Sequence, residues 1–211
     1  MSPFLLSGHM GSMPLTVLRT PWPVVLKPGL LALFTSLTLA GGVLMAQARF
    51  PAEGRLQVGW HEALLAGTLA LAALVLHETG HAVAARLTGR TVERLEFGMS
   101  GVAATSGDTT AWRRAAAIAA GPVIEIIAGT AMWVAGGSSW ADPVGAAGFL
   151  AMVNGAGNLL PVKPFDGHRL WAFIRLGLGG NPALACRPSG PCPACTGVFP
   201  VTADLEPAAA V

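Results

Sequence analysis

The chain has 211 residues, of which 53% are hydrophobic and only 11% charged, with thirteen basic and eleven acidic side chains and a net charge of +2. Soluble domains carry about 25% charged residues. With a mean hydropathy of +0.58, this composition excludes a wholly disordered chain and a conventional soluble enzyme, and so small a net charge gives no footprint for nucleic acid. What remains is a polytopic membrane protein of one domain.

Residues 1–20 are expected to be a disordered N-terminal segment, and residues 21–178 a membrane-embedded domain. The first apolar window, Gly29 to Ala48, has no charged residue. Arg19 and Lys27 before it and Ala46-Gln47-Ala48 at its end also fit a signal peptide, but the apolar run is longer than the usual one, which favours a retained helix. The second window, Ala63 to Ala85, is apolar up to Leu76 and then carries His77, Glu78 and His81. From Thr91 to Phe97, Val92, Leu95 and Phe97 alternate with Arg94 and Glu96, and Gly98-Met99-Ser100-Gly101 reads as a turn. This predicts a small β-hairpin at the membrane edge.

The third window, Ala115 to Gly136, holds a single charge, Glu125. The fourth, Pro143 to Val162, holds none, but contains Asn154 and Asn158. His168 to Leu178 is expected to form a short interfacial helix with Leu170, Trp171, Phe173 and Ile174 on its apolar side. Residues 179–211 are rich in Pro, Ala and Cys without periodicity and are expected to be a disordered tail. Its cysteines, Cys186, Cys192 and Cys195, lack the fourth ligand of a structural zinc site.

A bilayer core about 30 Å thick needs about 20 apolar residues in a helix, so the windows predict an all-α fold of about four transmembrane helices. Eleven of the thirteen basic residues lie before the first window, between the second and third, or after the fourth. The positive-inside rule then puts both termini and the hairpin in the cytoplasm. The expected location is the plasma or inner membrane, with the site near its cytoplasmic side. Trp22, Trp60, Trp112 and Trp140 each stand shortly before a window, where interfacial aromatics belong.

His77-Glu78-Thr79-Gly80-His81 is a His-Glu-x-x-His pattern. On a helix, positions i and i+4 share a face, so two imidazoles can hold one Zn²⁺. Glu78 is then placed to take a proton from a water that the metal acidifies. Each ionisable side chain at the membrane centre costs about 2.5–3.5 kcal/mol on insertion scales. Three within five positions therefore need a function, and a polar helix end snorkelling to the interface explains them less well. A catalytic zinc needs a third protein ligand. Asp166 is the best candidate, in Asn158-Leu159-Leu160-Pro161-Val162-Lys163-Pro164-Phe165-Asp166-Gly167. Two prolines break the helix there, and unwound backbone at membrane depth is tolerated only against protein or a wet cavity.

The two motifs in this order resemble the site-2 protease family of intramembrane zinc metalloproteases. The resemblance covers residues about 63–170. It implies a three-helix catalytic core, one zinc per chain held by His77, His81 and Asp166, and Glu78 as catalytic base. Gly121-Pro122 resembles the family's element in the middle core helix, and Arg90–Gly101 its cytoplasmic hairpin. Position 125 is Glu where the family often has Asn, and His168 stands where a second Gly is frequent.

Glu125 has two readings: a group lining the site or supporting a zinc ligand, or a protonated packing device bonded to Asn154. Asn154 and Asn158 share a helix face; Asn158, inside the motif, is the better candidate for binding substrate, and either can tie helices together. His168 is expected to be a solvated neighbour and His61 to lie at the outer interface. Gly121, Gly129, Gly155 and Gly157 read as packing residues.

The expected activity is that of an intramembrane zinc metalloendopeptidase in the lipid bilayer. Its substrate would be a single-pass membrane protein, unwound by pairing with the strand at Val92–Phe97. The alternative is a non-catalytic metal-binding or transport protein, which has no need of Glu78 and would want ligands along several spans. A prenyl-protein type of metalloprotease would want a downstream Glu ligand in place of the Asp-Gly element.

Overall fold

The structure, a computed structural model, describes residues 16–19, 22–49, 58–98, 101–107 and 109–179. The expectations for residues 1–15 and for the tail from 180, with its cysteines, fall outside these. In chain order come β1 (Thr16–Arg19), β2 (Pro23–Leu26), α1 (Gly29–Arg49), α2 (Trp60–Leu87), β3 (Thr91–Phe97), β4 (Gly101–Ser106), α3 (Ala111–Ala135), α4 (Pro143–Asn158) and α5 (Asp166–Gly177).

Among the described residues, α1, α2 and α3 are long and apolar enough to cross a membrane. At 1.5 Å per residue they run about 31, 42 and 37 Å, against a hydrocarbon core of about 30 Å. The fourth window behaves differently. Asp142 caps α4, its Oδ1 accepting from the Val144 and Gly145 amides at 2.8 and 3.2 Å, and Pro143 suits the first turn. The helix then has only 16 residues, about 24 Å, and ends at Asn158 instead of Val162. Pro161 has no N–H and disfavours helical backbone at Leu160. The chain turns instead, through bonds from Val162 N to Leu160 O (2.8 Å) and from Phe165 N to Val162 O (3.0 Å).

The expected hairpin is part of a larger sheet of order β1-β2-β3-β4. β1 pairs antiparallel with β2, so the disorder expected over residues 1–20 does not extend to Thr16–Arg19. β2 runs parallel to β3, Val24 opposite Leu95, and β3 antiparallel to β4, Phe97 opposite Gly101. A parallel pair needs a long crossover, here α1 and α2. A register shift between Val92 and Arg94 changes the phase of β3, so that Val92, Leu95 and Phe97 are all buried. Because Leu95–Phe97 are paired on both sides, that half of β3 cannot receive the further strand expected along Val92–Phe97; the terminal strands are β1 and β4.

α3 is the central helix, packed against α2, α4 and α5. At its N-terminal end, Ala117 joins Ala82, Ala85, Val92, Leu95 and Phe97 in one buried cluster. Ala115 and Ile118 join Leu170 and Phe173 of α5 in a second. The sheet and α5 therefore gather at the same end of the bundle. Trp171, expected on the apolar side of α5, is 45% exposed, with its indole Nε1 donating to Leu159 O at 3.3 Å. Of the small residues read as packing positions, Gly129 meets Gly148 O and Met152 N of α4, where a Cβ would come within 2.8 Å of both, but a Cβ at Gly157 would touch nothing within 4 Å.

Candidate metal centre

α2 buries mostly Ala and Gly along its length, which lets its neighbours approach closely. Within that apolar surface His77 is 2% and Glu78 5% exposed. The helical repeat stacks the His77 and His81 rings with centroids 4.7 Å apart and Nε2 atoms 3.0 Å apart. The turn after α4 brings the third group. Gly167 lies so close to Leu159 and Leu160 that a side chain there would strike their carbonyls. This contact folds the start of α5 back against the end of α4. It sets Asp166 Oδ2 at 3.1 Å from each Nε2. Among the described residues, His77, His81 and Asp166 form the group with ligand atoms within 4.8 Å of one another.

The outer nitrogens of both rings are engaged. His81 Nδ1 meets the Ala117 carbonyl at 3.0 Å, an acceptor only, so this nitrogen carries the proton. His77 Nδ1 meets Glu125 Oε2 at 2.7 Å. In neutral imidazoles so held, both Nε2 atoms present lone pairs, and they face each other and a carboxylate oxygen. Three such acceptors repel unless a cation stands among them. Two imidazoles and one carboxylate are a donor set that zinc takes. Zinc bonds of about 2.0–2.1 Å at tetrahedral angles set donor atoms about 3.3 Å apart, close to the 3.0, 3.1 and 3.1 Å found here. The residues present therefore fit a zinc ion.

Exposure is graded across the trio, at 2% for the His77 side chain, 12% for His81 and 24% for Asp166. The trio is thus most open on the Asp166 side. Two glycines shape the surroundings. Gly121 of α3 faces the His81 ring, and Gly101 at the start of β4 faces the Glu78 carboxyl; a Cβ at either would overlap its neighbour. The Gly101 contact and the Ala117 carbonyl were not singled out from sequence. Gly101 was legible only as part of a turn, and a backbone carbonyl leaves no mark in residue identity.

Asn154 donates through Nδ2 to Glu125 Oε1 at 2.9 Å and to Oε2 at 3.1 Å. Asn158 is the half-buried last residue of α4. His168 is exposed and outside the trio. His61 is exposed at the far end of α2, edge-on to Trp60.

Residues 55–155 match the family model described as Peptidase M50B-like. That stretch includes His77, Glu78 and His81 and stops before Asp166. No curated protein matches the chain. Among solved structures, the chain is similar to a site-2 protease from Methanocaldococcus jannaschii, with a TM-score of 0.57 and 20% identity over 81% of this chain and 74% of that one. At that identity the likeness speaks for the fold. The family match spans 101 of the 211 residues, and together with the paired motifs it makes this chain similar to the site-2 proteases.

Proposed function

We propose that the chain is an intramembrane endopeptidase in which His77, His81 and Asp166 hold one zinc ion and Glu78 is the catalytic base. The observation that carries this reading is the convergence of three acceptor atoms at 3.0–3.1 Å, two of them on the helix that also presents Glu78. When bound, the ion supplies Lewis acidity, polarising the scissile carbonyl and lowering the pKa of a water. Glu78 takes a proton from the attacking water as its oxygen bonds to the carbonyl carbon. It then delivers that proton to the amide nitrogen as the carbon–nitrogen bond breaks.

The substrate is a transmembrane segment of a single-pass membrane protein. A helical substrate hides its carbonyls in its own hydrogen bonds and must unwind before attack. β4 offers a free sheet edge among the described residues, and its first residue, Gly101, touches Glu78. A substrate strand added to that edge is held beside the base through main-chain bonds. Asn158, at the end of α4, is placed to bond the substrate backbone. The basic asymmetry supports a site on the cytoplasmic side of the membrane, which on this reading is the plasma or inner membrane.

The test compares zinc content with cleavage of a transmembrane peptide. Glu78→Gln retains close to one zinc per chain and loses turnover by about 10²–10⁴-fold. His77→Ala, His81→Ala and Asp166→Ala lose both. Wild-type cleavage by Glu78→Gln overturns the mechanism. Full zinc content in Asp166→Ala overturns the third ligand alone.

A further inference from the structure

His77 and His81 are not equivalent. His81 turns its Nδ1 to a neutral backbone carbonyl, Ala117 O at 3.0 Å. His77 turns its Nδ1 to a carboxylate, Glu125 Oε2 at 2.7 Å. Glu125 is 1% exposed, and Asn154 Nδ2 donates to both of its oxygens, at 2.9 and 3.1 Å. The chain of contacts runs from α2 through α3 to α4, so each of three helices contributes one member. Around Glu125 and Asn154 stand Leu33, Leu37, Ala70, Leu74, Leu150 and Ala151. In such surroundings an isolated carboxylate is costly, and a buried charge is retained where a cation or strong donors compensate it.

We infer that Glu125 is the positioning residue of His77: with Asn154 locking its carboxylate, it fixes the ring's orientation and its Nδ1–H tautomer, and lends negative charge to the metal site. This rests on the reading of His77 as a zinc ligand. The carboxylate makes Nε2 a stronger donor, and its charge reaches the ion through the ring. A packing role would need only a shape match between α3 and α4. It would not need an acceptor aimed at the one ring nitrogen that faces away from Asp166.

The test measures zinc affinity by chelator competition, and the visible spectrum of the cobalt-substituted protein, on full-length chains in detergent. Glu125→Gln keeps the side-chain size but removes the charge, and it leaves one acceptor oxygen where the carboxylate offers two, to His77 Nδ1–H and to Asn154 Nδ2. Zinc binding is expected to weaken about 10–100-fold, with a shift of the cobalt bands. Glu125→Asp keeps the charge and draws it back from Nδ1, so zinc binding weakens in this variant too; it serves where the Gln variant does not fold. Thermal unfolding of the metal-free proteins monitors packing separately. Wild-type zinc affinity and an unchanged cobalt spectrum in folded Glu125→Gln or Glu125→Asp overturn the inference. His77→Ala separates the two levels: if it keeps wild-type zinc affinity, the ligand assignment itself fails, whereas zinc loss in His77→Ala beside unchanged Glu125 variants sinks the positioning role alone.

Discussion

Gly121 stands against the His81 ring with no room for a side chain: a Cβ built on its backbone overlaps Nε2, Cε1 and Cδ2 of the imidazole. The helices cannot simply part to make room. At the preceding residue a Cβ at Gly80 of α2 would already lie 3.0 Å from the Ala120 carbonyl of α3, and His81 Nδ1 is tied to Ala117 O.

Gly121→Ala is therefore expected to displace the His81 ring. Overpacking of this kind costs about 1–3 kcal/mol, and where the ring yields, the cost falls on metal binding. Zinc affinity should drop about 5–150-fold, with cleavage falling alongside. Gly157→Ala, where a Cβ meets nothing within 4 Å, is the matched control and should bind zinc as the wild type does. Unchanged zinc affinity in Gly121→Ala would show that the ring is not held where zinc needs it.

How far the site can be read from sequence depends on how local each relation is. His77 and His81 are four residues apart on one helix, so spacing alone stacks their rings. Asp166 lies 85 residues beyond His81 and is reachable only through the Pro-rich motif that carries it. The bond from His77 to Glu125 spans 48 residues; a lone carboxylate in an apolar window marks an oddity without naming its partner. β1 and β2 have four residues each, too short for a periodic signal, and the parallel pairing of β2 with β3 is formed across two helices. The early end of α4 was legible in Pro161, whose effect on Leu160 is local, but the apolar run through Val162 masked it.

The sheet is tied together by charge. Glu96 of β3 pairs with Lys27, just after β2, and with Arg94 of its own strand. Burial raises the Glu96 carboxyl, but the hydrogen bonds and charges of Lys27 and Arg94 outweigh it and hold it below the usual carboxylate range. A depressed folded pKa gives stability that is fully present above the unfolded value of about 4.3 and is lost as pH falls through the folded value. Glu96→Gln should therefore unfold at a lower temperature than wild type at pH 7 in detergent, with the gap closing below about pH 4. A gap that stays constant down to pH 2 would assign the loss to packing.

The sheet and α5 both pack around Ala115–Ile118 of α3, so the chain after α4 has returned to the end of the bundle where the sheet lies. Most of the basic residues collect at that end, which the positive-inside rule assigns to the cytoplasm. Reporter fusions after Gly101 and after Leu178 should report the cytoplasm, and fusions after Ala48 and Gly137 the opposite side. An outside report after Gly101 would reverse the orientation and move the site to the other face.

Gly101 and Glu78 make the companion case to Gly121 and His81. A Cβ at Gly101 overlaps Oε1, Cδ and Cγ of Glu78, which is 5% exposed and has little space into which to retreat. The three atoms nearest to a Cβ at Gly101 all belong to Glu78 and none to a proposed zinc ligand. Gly101→Ala should therefore push the base out of line while leaving the donor trio in place. A misplacement of about 1 Å near the reacting atoms can cost about 10²-fold in rate. The expected result is near-wild-type zinc content with cleavage down by about that factor, unlike Gly121→Ala, which loses both. Because Gly101 opens the edge strand, strand pairing must be tested apart from the base. A substrate already unwound by a helix-breaking Gly-Pro pair at its cleavage site needs less help from the edge. If Gly101→Ala cleaves that substrate at the wild-type rate, the glycine serves strand entry and not the Glu78 carboxyl; if the loss persists, the contact with Glu78 is what the reaction requires.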